Sequence, residues 1–170
     1  MQYLSLVFDT LVQYQLKVKR SKCSFATHQI EYLGHLILAT GVSTDPQKIA
    51  CIQQWPTPIT IKELRGFLGL MGYYRKFVRE YGKLARPLTD LLKKNAFCWH
   101  EEATKAFNQL KSAMSTPPML ALPDFSREFV VETDASNTGI GTVLLQRGRP
   151  IAFFSKALVA QHQGLSVYEK

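Results

Sequence analysis

The sequence predicts an α+β fold, and three observations carry that prediction. Up to about residue 114 the apolar residues recur at steps of three and four, the mark of helices with one buried face. An early pair of β-branched and aromatic runs interrupts them as a hairpin would. Beyond Pro117, Pro118 and Pro123 the chain turns to three short apolar runs joined by tight turns, which predicts an antiparallel β-meander. With 170 residues, 46% of them hydrophobic, the chain can bury a core as one domain or two small ones.

The elements follow in order. Leu4, Val7, Phe8, Leu11 and Val12 make an amphipathic helix of Tyr3 to Leu16. A basic stretch, Lys17 to Lys22, leads to strands at Cys23 to Phe25 and Ile30 to Leu38, with Gly41 ending the hairpin. Thr44-Asp45-Pro46 supplies a cap and a proline for the first turn of a helix reaching about Trp55, where Pro56 and Pro58 stop it. Thr60 and Glu63 fit a capping box that opens a helix to about Val78. Its inward row is Leu64, Phe67, Leu68, Met71, Tyr74 and Val78.

Gly66, Gly69 and Gly72 form a second row on that helix, each costing about 1 kcal/mol against alanine. Close approach of another surface, a second helix or a ligand, would offset the cost. A short helix is expected at Leu84 to Lys93 and a longer one at Glu101 to Met114, with Ala103, Phe107, Leu110 and Met114 inward. The strands are expected at Glu128 to Thr133, Gly139 to Gln146 and Pro150 to Lys156, with turns at Asp134 to Thr138 and Arg147 to Arg149. A further helix is expected to begin near Ser166.

Composition narrows the function. The net charge is +8, and the excess lies mostly between Lys62 and Lys94, where nine basic residues face three acidic ones. Such a segment suits a polyanion, although a solvated helix face gives the same pattern. Cys23, Cys51 and Cys98 are widely spaced and read as buried thiols; neither they nor the four histidines show zinc-ligand spacing. No apolar run approaches the roughly 18 residues of a membrane span, and continuity of the first basic helix with the hairpin argues against a targeting presequence. An intracellular protein, nuclear or cytoplasmic rather than organellar, is expected.

Phe129 to Gly141 is an apolar strand that delivers Asp134 to a turn and doubles back through two glycines, the way a metal-dependent nuclease mounts a first carboxylate. Taken with the motifs before it, this stretch identifies a family. Tyr32-Leu33-Gly34-His35, Thr44-Asp45-Pro46-Gln47-Lys48-Ile49, Trp55-Pro56-Thr57-Pro58 and, most specifically, Glu63 to Phe77 (ELRGFLGLMGYYRKF) resemble the reverse transcriptases of gypsy-type LTR retrotransposons. Arg86-Pro87-Leu88-Thr89, Leu120 to Phe125 and Glu132 to Ser136 follow in the family's order, so the resemblance covers nearly the whole chain.

The resemblance implies three pieces: residues 1–43 as the end of a polymerase palm with its helix and hairpin, 44–95 as a helical thumb, and 96–170 as the first part of an RNase H-like domain. It implies that Leu33, Gly34 and His35 belong to a primer grip. It implies that Lys62, Gly66 and Leu70, at i, i+4 and i+8, face the minor groove of a template-primer duplex, with Arg65, Arg75, Lys76 and Arg79 meeting phosphates. Asp134 matches the first RNase H carboxylate, a ligand for Mg.

The family's Tyr-x-Asp-Asp polymerase turn does not occur in this sequence, and Asp9 has no acidic neighbour to replace it. Two-metal hydrolysis needs several carboxylates around ions about 4 Å apart. The second of the family's glutamates would fall one residue past Tyr168-Glu169-Lys170, and a shift of two helical positions turns Glu169 about 200° away. Glu132 reads as a solvated or paired strand residue. The expectation is weak or absent Mg binding, no catalysis by this chain alone, and retained binding of RNA:DNA or DNA duplex. The alternative is a decayed or domesticated remnant, without function or acting as a protein-interaction module through exposed apolar surface.

Overall fold

Two local signals set the first sheet. A computed structural model describes residues 2–136 and 138–158. In it, Leu33 and Gly34 both adopt positive φ, 50° and 72°, and fold the run expected as one strand back on itself. Strands β1 (Gln29–Tyr32) and β2 (His35–Leu38) pair antiparallel with Tyr32 opposite His35, the geometry of a two-residue turn that glycine favours. Cys23 to Phe25, expected as the first strand of the hairpin, lies outside the sheet and follows a short 3-10 turn at Arg20–Lys22.

Gly41, expected to end the hairpin, instead opens β3 (Gly41–Thr44). Its φ is 150°, and a Cβ there would stand 2.3 Å from the Leu120 carbonyl oxygen. The bare backbone lets Val42 and Leu120 exchange both amide bonds, at 2.7 and 2.9 Å. Ahead of the sheet, α1 (Gln2–Gln13) forms where the apolar period places it, yet Leu6, Val7 and Val12 are exposed. Among the rings of the described residues, Phe8 meets only Phe25, at 6.2 Å between centroids.

Three capped helices and a fourth build the core. The Asp45 carboxylate accepts from the Gln47 amide at 2.8 Å and starts α2 (Pro46–Gln53). The Thr60 hydroxyl accepts from Glu63 at 3.2 Å and starts α3 (Ile61–Tyr73), but the Glu63 carboxylate reaches back to the Ile59 amide, one residue earlier than a reciprocal box requires. Helix α3 ends at Tyr73, not Val78, and a short 3-10 turn at Arg75–Phe77 follows. Tyr74, Phe77 and Val78 remain buried, so the inward row survives the change of helix type.

Helix α4 (Tyr81–Asp90) begins earlier than expected, entered through Glu80 at φ 56°. Helix α5 (Glu101–Ala113) is capped by His100, whose Nδ1 accepts from Ala103. Leu64, Phe67 and Met71 of α3 meet Ala85 and Leu88 of α4 and Ala106, Phe107 and Leu110 of α5 in one buried cluster. Phe67 and Phe107 stand 4.6 Å apart at its centre.

The cysteines correct an expectation: Cys51 and Cys98 are exposed and Cys23 is half-buried. On α2 the inward positions are Ile49 and Ile52, which turns Cys51 to solvent. Before α5 an extended stretch alternates, with Phe97 and Trp99 inward and Cys98 outward between them.

The second sheet runs β4 (Val130–Ala135), β5 (Gly139–Gln146) and β6 (Arg149–Ala157), antiparallel in that order, with positive φ at Arg147 and Gly148 closing the last turn. It is fastened to the rest at Ala121, whose amide donates to Pro150 at 2.7 Å, and at Gly82, whose amide donates to Ser155 Oγ at 2.8 Å. The helix expected near Ser166, and Glu169, lie outside the described residues. No helix among the described residues is long and apolar enough to cross a membrane.

Candidate nucleic-acid interface

Burial of Leu64, Phe67, Leu68 and Met71 leaves α3 an exposed strip of Lys62, Arg65, Gly66, Gly69 and Tyr73. Leu70, expected on this strip with Lys62 and Gly66, is half-buried and packs on the core instead. Eight helical positions after Lys62 the side chain has rotated about 80°, far enough to leave the open side.

The glycines of the strip are not spent on packing within the chain. A Cβ at Gly69 would meet nothing within 4 Å, and one at Gly66 would touch only the Trp55 ring at an ordinary 3.6 Å. Among the described residues, helix packing therefore does not account for Gly66 and Gly69, whereas a Cβ on Gly72, the third of the row, would meet the Tyr81 hydroxyl of α4 at 3.8 Å.

The strip continues into the β1–β2 turn. The Tyr73 hydroxyl donates to the Leu33 carbonyl, and the Tyr74 hydroxyl donates to the Gly34 carbonyl at 2.9 Å. Burial and the neighbouring Tyr73 push the Tyr74 hydroxyl up to about 12, so it stays a donor across the ordinary pH range. Leu33, 68% exposed, forms the tip. A Cβ on Gly34 would stand 2.8 Å from the Tyr74 hydroxyl, so the positive φ and the close approach both call for glycine there.

His35 lies behind the tip, stacked on Tyr73 at 5.3 Å and edge-on to Tyr74 and Phe77, both at 5.6 Å. Its Nδ1 is buried, with no hydrogen-bond partner among the described residues. Burial first, and the Lys76 charge second, hold its pKa below the usual histidine value. Sequence reasoning had reached Leu33, Gly34 and His35; the tyrosines that hold them were read only as a motif and a core position.

The cations sort by the acids near them. Glu63 is engaged with the Ile59 amide, Glu80 with Lys83 at 3.6 Å, and Asp90 with Arg86 and Lys93 at 4.0 and 2.6 Å. Among the described residues, that leaves Lys62, Arg65, Arg75, Lys76, Arg79 and Lys94 of the basic segment without an ion pair. Lys76 sits beside His35 and over the Phe77 ring, close to the tip. Arg79 departs from the expected set, lying over Phe153 of β6 at 5.8 Å on the side of the second sheet.

Asp134 is held in β4 opposite Gly141, not in the turn after it; pairing with β5 extends the strand to Ala135. Together with Glu132, two residues back on the same face, it lines a cleft of about 430 Å³ shared with Arg79, Lys83 and Lys156. Among the described residues no group of three or more His, Cys, Asp or Glu side chains could hold a metal ion. Glu80, paired with Lys83, is the third carboxylate of a lining that also holds three cations; among the described residues this set does not fit a two-ion Mg centre, so no chemical step is assigned to these groups.

With this geometry the chain has clear relatives. Residues 99–170 match the family described as an RNase H-like domain found in reverse transcriptase. The chain is 41% identical over 169 residues to the retrovirus-related Pol polyprotein from transposon 297 of Drosophila melanogaster, covering 98% of this chain and 16% of that protein. It is 50% identical over 139 residues to an uncharacterised mitochondrial protein of Arabidopsis thaliana, covering 81% of this chain and 88% of that one. The foamy viral protease-reverse transcriptase in complex with an RNA/DNA hybrid superposes with a TM-score of 0.88 at 26% identity, over 99% of this chain and 24% of that one. The same protein in complex with double-stranded DNA gives 0.85 at 26% identity, over 99% and 36%. The chain thus spans under a fifth of the transposon polyprotein and about a third or less of the viral enzyme's length. Its motif order, its two antiparallel sheets and these relatives agree: the chain belongs to the reverse transcriptase/RNase H region of the Pol polyproteins of gypsy-type LTR retrotransposons.

Proposed function

We propose that residues 29–79 form a template-primer contact surface, binding RNA:DNA hybrid or DNA duplex through the α3 strip and the Leu33–Gly34 tip. One observation carries the reading: two patches about thirty residues apart in sequence are joined into a single edge by the Tyr73 hydroxyl on the Leu33 carbonyl. The strip has bare backbone at Gly66 and Gly69, which suits approach to the sugar edges of a shallow minor groove. Lys62 and Arg65 flank it without an ion pair among the described residues, which leaves them open to phosphate contacts. The reading gives these residues binding, not catalysis.

Binding of this kind is driven by counterion release, so affinity falls with salt by a log–log slope of about 0.9 for each phosphate neutralised on duplex DNA. The test is fluorescence anisotropy of the 170-residue chain with a labelled RNA:DNA hybrid, titrated at several salt concentrations. Lys62→Ala, Arg65→Ala together should weaken binding and reduce the slope by about two. A slope unchanged in that variant, or an affinity flat with salt in the parent, would refute the assignment.

A further inference from the structure

We infer that Tyr73 and Tyr74 are positioning residues: their hydroxyls latch the Leu33–Gly34 turn onto the end of α3, so that helix strip and hairpin tip present one rigid edge to a duplex. The inference rests on the duplex-binding reading above and adds the residues that act through the turn, not on the nucleic acid.

The chemistry of the turn calls for such a latch. In a two-residue hairpin turn the carbonyls of both central residues point away from the ladder and find no strand partner. Here the Leu33 carbonyl is taken by Tyr73 and the Gly34 carbonyl by Tyr74, with the Asp45 amide also on Gly34 at 3.3 Å. Two adjacent helix residues normally point about 100° apart. They converge because α3 stops between them, Tyr74 being its C-cap at φ −92°, ψ 6°.

The two residues share the task unequally. Tyr74 is 1% exposed and anchored in the core, whereas Tyr73 is 48% exposed, its hydroxyl on the turn and its ring face against His35. His35 fills the angle between them and Phe77, so the turn cannot tilt without opening a ring stack. Core burial explains Tyr74's ring; it does not explain a pair of hydroxyls that both end on the same turn.

The experiment uses the 170-residue chain carrying Tyr73→Phe, Tyr74→Phe and both, which keeps the rings and removes only the hydroxyls. Hydrogen–deuterium exchange without nucleic acid should quicken in residues 29–38 of the double variant and stay unchanged in α5. Anisotropy with the hybrid should show binding about ten-fold weaker, as the loss of two modest hydrogen bonds allows, with the salt slope of the parent retained because no cation is lost. Adding Leu33→Ala to the double variant should cost less than it costs in the parent, since both act through the tip. Parent-like exchange in the hairpin, or binding within two-fold of the parent, overturns the latch. A parent that fails to bind the hybrid overturns the reading beneath it, while the exchange result still decides whether the hydroxyls hold the turn. The single Tyr73→Phe variant, altered at a residue 48% exposed, keeps the test decisive if the double variant unfolds.

Discussion

At His35, an imidazole enclosed by three aromatic rings has its Nδ1 buried, without a hydrogen-bond partner among the described residues. Burial and Lys76 lower its folded-state pKa below 6.5, the unfolded value. The unfolded chain therefore takes up the proton first as pH falls, and stability, full above the unfolded value, declines through the window that opens near 6.5. Urea midpoints should fall between pH 7 and pH 5 in the parent, and His35→Gln should flatten that decline; an unaltered decline in the variant would remove His35 as its source. The sequence pointed to His35 and Gly34 through a motif, but it could not show why glycine stands at 34. The reason is the Tyr74 hydroxyl forty residues away, and a contact across that distance leaves no local periodicity to read.

Among the elements, α3 shows both how far local pattern reaches and where it stops. The Thr60 cap and the row Leu64, Phe67, Leu68 and Met71 were legible because each is a local rule of spacing. The end at Tyr73 was not, because the inward row runs on through Tyr74, Phe77 and Val78 while the backbone changes to a 3-10 turn. Periodicity alone missed the β1–β2 hairpin for a similar reason, although the family resemblance had placed a grip hairpin at Tyr32 to His35: Ile30 to Leu38 reads as one apolar run, and only the positive φ at Leu33 and Gly34 divides it. The open strip on α3 gives a test that separates stability from function. Gly69→Ala adds a methyl into empty space on a helix, so it should raise stability by up to about 1 kcal/mol. If the backbone at Gly69 approaches a duplex, the same substitution should weaken hybrid binding. Denaturant unfolding and anisotropy on one protein sample check both signs, and a variant that gains stability with full binding would remove Gly69 from the contact.

For the molecule as a whole, the question is how the second sheet is carried by the helices. Its three strands were legible from alternating apolar runs and tight turns, and β5 forms over the expected residues. What the sequence did not show is the seam, since it joins α4 to β6 across more than seventy residues and depends on one missing side chain. A Cβ on Gly82 would stand 3.0 Å from the Ser155 carbonyl oxygen and 3.1 Å from both the Ala157 nitrogen and the Lys156 Cα. All three are backbone atoms of a paired strand, which cannot swing aside as a flexible side chain would. Alanine at an ordinary helix position gains up to about 1 kcal/mol over glycine. Here overpacking should outweigh that gain by about 1–2 kcal/mol, because either the sheet retreats and loses the Gly82 amide bond to Ser155 Oγ or α4 shifts against the core. Gly82→Ala and Gly69→Ala thus make a matched pair, the same methyl on two helices of one protein with opposite expected signs. Urea midpoints give the signs, and hydrogen exchange in β6 gives the place. A Gly82→Ala protein as stable as the parent, with β6 equally protected, would mean that the sheet rides on the Ala121–Pro150 link and not on α4.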